Sequence, residues 1–137
     1  MPLINFDSEK VIATVRNGKS VLNLTANDID NVICGAVEGG TNYWAQIQND
    51  RKEWDDKPKG IPLSQWITHL LLNRKSVVFR DVEEYDGKDL RLTKKKLLDG
   101  IKLNAMERPF DCDLENADAT TYDCIFQYAL FGELIYG

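Results

Sequence analysis

Val11-Ile12-Ala13-Thr14-Val15-Arg16-Asn17-Gly18-Lys19-Ser20-Val21-Leu22-Asn23-Leu24 reads as a β-hairpin, and Thr25 behind it reads as the cap of a helix. Aliphatic and polar residues alternate on both sides of Asn17-Gly18, the dipeptide preferred in a two-residue hairpin turn. Pairing Arg16 with Lys19 puts Val11, Ala13, Val15, Leu22 and Leu24 on one face and Thr14, Arg16, Lys19 and Asn23 on the other. Thr25 has Asp28 three residues on, the spacing of a capping box, and Ile29, Val32, Ile33, Ala36 and Val37 recur at helical intervals. A helix from Ala26 to Glu38 is expected, ended by Gly39 or Gly40 in the left-handed conformation. Tyr43 to Ile47 then suits a short strand returning beside the hairpin.

Working outward, Asn49 to Gly60 is polar apart from Trp54 and predicts a surface loop. Leu63, Trp66, Ile67, Leu70 and Leu71 mark a second helix ending near Asn73. A second hairpin follows from Val77 to Glu84 and Asp89 to Leu92. A three-residue loop, Tyr85-Asp86-Gly87 with Gly87 left-handed, aligns Val78, Val82, Leu90 and Leu92 on one face and sets Arg80 opposite Leu92. Thr93 caps a third helix carrying Leu97, Leu98, Ile101 and Ala105, and Pro109 closes that region. Asp118 caps a fourth helix with Tyr122, Ile125, Phe126, Ala129 and Leu130 on one stripe, and Gly132 stops it. The order ββ-α-β-α-ββ-α-α lacks the βαβ repetition of a parallel doubly wound fold. The expectation is an α+β fold: two β-hairpins plus a short strand in a mostly antiparallel sheet, packed by about four helices.

A chain of 137 residues, 43% hydrophobic and 28% charged, predicts one compact domain over residues 1–137 with a sizeable core. No stretch has the length of a membrane span, and Met1 to Phe6 lacks the basic start and apolar run of a signal peptide. The net charge of −5 argues against nonspecific nucleic-acid binding, which needs a basic face. Three cysteines, Cys34, Cys112 and Cys124, match no zinc spacing and read as reduced thiols. Cys34 and Cys124 fall in helices as small hydrophobes, and the acidic stretch around Cys112 argues against an activated nucleophile.

No catalytic signature emerges. The single histidine, His69, has no Gly-x-Ser-x-Gly elbow to serve and reads as a structural or surface residue. Asp111-x-Asp113-x-Glu115 resembles the start of a calcium loop, but Asn116 stands where that loop needs glycine and Tyr122 where it needs glutamate. No metal and no cofactor is expected. Lys94-Lys95-Lys96 occupy a helix first turn, where three cations oppose the dipole unless an anion approaches. Arg80 shares a face with Val78 and Val82, which demands a partner or an open edge. Asn42, Tyr43 and Trp44 offer flat, adaptable surface after a two-glycine turn. Asn42, Tyr43, Trp44, Arg80, Lys94 and Lys95 are therefore the candidate contacts for a ligand or partner.

Val37-Glu38-Gly39-Gly40-Thr41-Asn42-Tyr43-Trp44, Ser64-Gln65-Trp66-Ile67, Lys96-Leu97-Leu98-Asp99-Gly100-Ile101 and Gln127-Tyr128-Ala129-Leu130-Phe131-Gly132-Glu133 together resemble a group of small phage- and prophage-encoded proteins. The resemblance runs from about Leu24 onward and brings no catalytic residues to transfer. It implies a non-enzymatic binding protein working in the host cytoplasm, a host-defence inhibitor of the anti-CRISPR or anti-signalling kind. Such a protein would occupy a host protein or sequester a small anionic, nucleotide-like ligand as a homo-oligomer, with no direct nucleic-acid contact and no membrane. Two alternatives are a metal-dependent enzyme on nucleotides or nucleic acid, with acids between Asp111 and Asp123 as ligands, and a regulatory module of phage DNA metabolism.

Overall fold

The computed structural model describes residues 10–18, 20–83 and 87–137. It is an α+β fold with four α-helices and two antiparallel sheets. Strands β1 (Val11–Asn17) and β2 (Ser20–Thr25) form one sheet, and β3 (Ala45–Ile47), β4 (Val77–Asp81) and β5 (Asp89–Leu92) form the other in that order. The helices are α1 (Ala26–Gly35), α2 (Leu63–Leu72), α3 (Lys94–Glu107) and α4 (Ala119–Phe131).

Helix α4 is the element on which the rest assembles. Ile125 and Phe126 are fully buried, and Phe126 meets Phe79 of β4 edge to face at 5.8 Å and 89°, a favoured aromatic geometry. Three glycines let other segments approach α4. A Cβ on Gly35 would fall into the Tyr122 ring, one on Gly40 would lie 2.6 Å from the Ala119 carbonyl oxygen, and one on Gly100 would lie 2.6 Å from that of Ile125. The N-caps read from the sequence are present, as is the glycine stop of α4. The Thr25 and Asp118 side chains form capping boxes with Asp28 and Thr121, the Thr93 side chain accepts from the Lys96 N–H, and Gly132 is left-handed at φ +79°.

The chain departs from expectation in four places, three of them in strands. In the first hairpin Asn17 pairs with Ser20 rather than Arg16 with Lys19, and Lys19 lies outside the described residues. The displacement is an even number of residues, so Val15, Leu22 and Leu24 keep the inner face. Asn17 stays in the strand and its Nδ2 donates to the Ala105 carbonyl of α3 at 3.2 Å. A bulge between Val11 and Ala13 completes the pairing.

The second hairpin pairs Val77 with Leu92, Phe79 with Leu90 and Arg80 with Asp89, not Arg80 with Leu92. This odd displacement turns Val77 and Phe79 inward and leaves Val82 exposed. Tyr85 and Asp86 of the expected loop, and Glu84 at the expected strand end, lie outside the described residues, while Gly87 is left-handed as predicted, at φ +49°.

Strand β3 pairs with β4 rather than with the first hairpin, which stands as a separate sheet. Finally, neither Gly39 nor Gly40 is left-handed. After α1 the chain widens into a π turn, Ala36–Gly40, closed by the Thr41 N–H and hydroxyl, both on the Ala36 carbonyl at 3.0 Å. Gly40 is needed for the approach to α4, not for a positive φ.

Helix α2 ends near Asn73 as expected, through a pair of bonds typical of a helix C-terminus: Lys75 N–H to Leu70 oxygen at 2.9 Å and Arg74 N–H to Leu71 oxygen at 3.2 Å. The left-handed residue in that turn is Arg74, at φ +62°, where glycine is the usual occupant. Arg74→Gly is expected to raise the unfolding free energy by ~0.5–1 kcal/mol, because it relieves the Cβ–carbonyl contact of a left-handed L-residue. Urea denaturation with an unchanged or lower midpoint would rule this out.

Candidate functional site

Between α2 and the segment after β3 lies a cleft of about 430 Å³, within the range of small-molecule sites. One wall is the short 3₁₀ turn Lys52–Trp54, whose Trp54 is buried in the core. The other is α2, where Trp66 and His69, three residues apart, fall on one face. Their rings stack at 4.9 Å and 22°. The Trp66 indole N–H donates to the Glu53 carbonyl at 3.0 Å, which ties the two walls together.

The His69 ring is further placed by Asn73, whose Nδ2 donates to the His69 carbonyl at 2.7 Å and lies 3.3 Å from Nδ1. An amide nitrogen only donates, so this placement suits the tautomer in which Nδ1 accepts and the proton sits on Nε2. Lys52 and Lys75 add two cations to the lining, Glu53 and Asp56 two acids. Glu53 Oε1 is buried without a hydrogen-bond partner. The turn that ends α2 delivers Lys75. The site offers a ring face, a donor and two charges of each sign.

The predicted Asn42-Tyr43-Trp44 turn serves mainly as structure. Trp44 is fully buried, and its Nε1 donates to Asp123 Oδ1 at 2.7 Å. Tyr43, half exposed, donates its hydroxyl to Asp123 Oδ2 at 2.5 Å. Burial of that hydroxyl, and then the carboxylate it faces, hold the Tyr43 phenol well above its ordinary range. Tyr136 packs on Trp44 at 5.8 Å and on Tyr43 at 6.3 Å, and its hydroxyl donates to buried Asp81 at 2.6 Å. The Gln127 side chain accepts from the Ile135 and Tyr136 N–H groups, both at 2.8 Å. Two of the four segments that carried the phage resemblance, 37–44 and 127–133, thus meet in a clasp, with the Trp44 and Phe131 rings 5.0 Å apart. Of the three predicted residues, only Asn42 and the outer part of Tyr43 face solvent.

Arg80, Lys94 and Lys95 do not converge. Arg80 pairs with Asp89 at 3.1 Å, at the opening of β5, whereas Lys94 follows its far end. Arg51 reaches the same carboxylate at 2.7 Å, so the segment after β3 crosses β4 to grip β5. The bond from Arg80 and the charges of both arginines hold the Asp89 carboxyl below its usual range. These exposed contacts are therefore present above the ordinary carboxylate pKa and fade as pH falls below it. Lys95 pairs with Asp99 one turn along at 2.8 Å, and the Lys96 ammonium donates to the Arg91 carbonyl at 2.8 Å.

Four of the five acids between Asp111 and Asp123 are engaged by their own chain. Asp111 holds Arg108 at 2.7 Å and the Thr121 hydroxyl at 2.7 Å, Asp113 accepts from the Glu115 N–H, Asp118 caps α4, and Asp123 holds the clasp. Among the described residues, no group of three or more His, Cys, Asp or Glu is arranged to hold a metal ion. All three cysteines are free, and burial raises the thiols of Cys34 and Cys124. No described helix is long and apolar enough to cross a membrane. Compared with family models, with curated proteins and with solved structures, the chain finds no match.

Read from the sequence as a structural or surface residue rather than a catalytic one, His69 is not set there beside Trp66 as part of a site. The usable signal was the ring pair at positions i and i+3, Trp66 and His69, together with a lone tryptophan in an otherwise polar loop.

Proposed function

We propose that this protein is a non-enzymatic binding protein that holds a small anionic ligand in the cleft between α2 and the Lys52–Trp54 turn. The observation that supports it is the Trp66–His69 stack set in a concave site with Lys52 and Lys75. His69 is oriented by an amide and a ring rather than by a carboxylate, and no nucleophile is placed against it among the described contacts. That is the furniture of recognition. With the resemblance to phage accessory proteins, the reading extends to a host-defence inhibitor that sequesters a nucleotide-like signal in the host cytoplasm. The metal-dependent alternative draws no support from Asp111, Asp118 or Asp123, each of which is occupied.

Native mass spectrometry of protein purified from a bacterial lysate tests the proposal. A retained low-mass anion is expected, absent from the double variant Lys52→Ala with Lys75→Ala, and a homo-oligomer is expected in the same spectrum. The reading fails if nothing is retained and neither phosphate nor a nucleotide, at millimolar concentration, moves the ring signals of His69.

A further inference from the structure

Resting on the cleft reading above, we infer that the ligand is a nucleoside monophosphate, bound with its base against the open face of His69 and its phosphate toward Lys52 and Lys75. Trp66 covers one face of the imidazole in a near-parallel stack, 22° between planes. An imidazole braced in this way is a stacking platform, and bases stack on histidine as they do on the larger aromatics. Asn73 holds the ring through Nδ1, so the platform is fixed in orientation and the Nε2–H remains a donor.

The charges limit the other half of the ligand. Two lysines share the lining with Glu53 and Asp56, so the cleft has no surplus of positive charge. The whole chain carries −5. A triphosphate or a polynucleotide would be repelled by the two acids, and polynucleotide binding depends on neutralising several phosphates at once. A single phosphate can be met by two ammonium groups from different segments, one on the 3₁₀ turn and one beyond α2. A bare phosphate would leave the ring face unused.

The test exploits the single histidine in the chain, which makes its Hε1 and Hδ2 resonances a reporter of one site. The probes are AMP, CMP, adenosine, ribose 5-phosphate, inorganic phosphate and a single-stranded oligonucleotide. AMP or CMP is expected to move the His69 signals saturably, with adenosine and ribose 5-phosphate at least tenfold weaker and the oligonucleotide without effect. In calorimetric titration His69→Ala should weaken the mononucleotide at least tenfold and leave ribose 5-phosphate unchanged, with thermal unfolding confirming that the variant is folded. If ribose 5-phosphate or phosphate binds as tightly as the mononucleotides, the base has no place in the site, and the mononucleotide assignment falls while the anion cleft stands. A saturable oligonucleotide response would instead assign the cleft to nucleic acid and overturn the inference. If no probe moves His69, the cleft reading falls with it.

Discussion

Asp123→Ala should lower the unfolding free energy by about 3 kcal/mol or more. The carboxylate accepts two hydrogen bonds, from the Trp44 indole and the Tyr43 hydroxyl, and each bond to an ionised group contributes ~1.5–3 kcal/mol. Removing it leaves the fully buried Trp44 N–H without an acceptor in a place water does not reach, which costs more than the bond itself. Chemical denaturation measures the effect directly, and a loss below ~1 kcal/mol would mean that the aromatic packing alone holds the clasp.

The same clasp carries a pH signature. A phenol whose pKa is raised by folding stabilises the fold while it is protonated. The Tyr43 contribution is therefore complete below the ordinary tyrosine value of about 10 and is lost as pH climbs above it. The wild-type protein should weaken on that alkaline limb more steeply than Asp123→Ala does, because the facing carboxylate is one of the causes of the shift. Binding at the α2 cleft is expected to survive in folded Asp123→Ala protein, since the clasp residues do not line that site.

Gly100→Ala is expected to destabilise by about 2 kcal/mol, although alanine in place of glycine at an exposed helix position would add up to ~1 kcal/mol of stability. The opposite sign follows from the contact with α4. A Cβ at this position would lie 2.6 Å from the Ile125 carbonyl oxygen and 2.9 Å from both the nitrogen and Cβ of Ala129. Two of those three atoms are backbone, so relief requires moving one helix against the other in a close-packed core. Adding Ala129→Gly removes the third atom and should restore only part of the loss. A stabilised Gly100→Ala variant would show that α3 and α4 are not packed this closely.

The sequence alone determined whatever is decided within three or four residues of chain. Thr25, Thr93 and Asp118 satisfy helix N–H groups from neighbouring side chains, and Gly132 ends α4 because a left-handed residue is needed there. The α2 stripe and the inner face of the first hairpin follow from periodicities that a displacement of two residues leaves intact. The α+β class follows from the order of these elements.

Only the tertiary structure decided the register of the second hairpin, the partner of β3 and the use of the aromatic turn. Locally, Asp81 argues against turning the Val77–Phe79–Asp81 face inward. Its partner is the Tyr136 hydroxyl, 55 residues away, and Phe79 finds Phe126 on α4. Trp44 reads from the sequence first as core and second as ligand surface, and only Asp123, 79 residues on, accepting its N–H decides between them. The π turn after α1 likewise answers to the carbonyl of Ala119 on α4, where the two glycines by themselves suggest a left-handed stop. A buried polar group must be satisfied, but the chain does not say locally which distant group will satisfy it. The cleft joins Lys52 of one segment to His69 and Lys75 of another, and only folding brings that ring and those charges to one place.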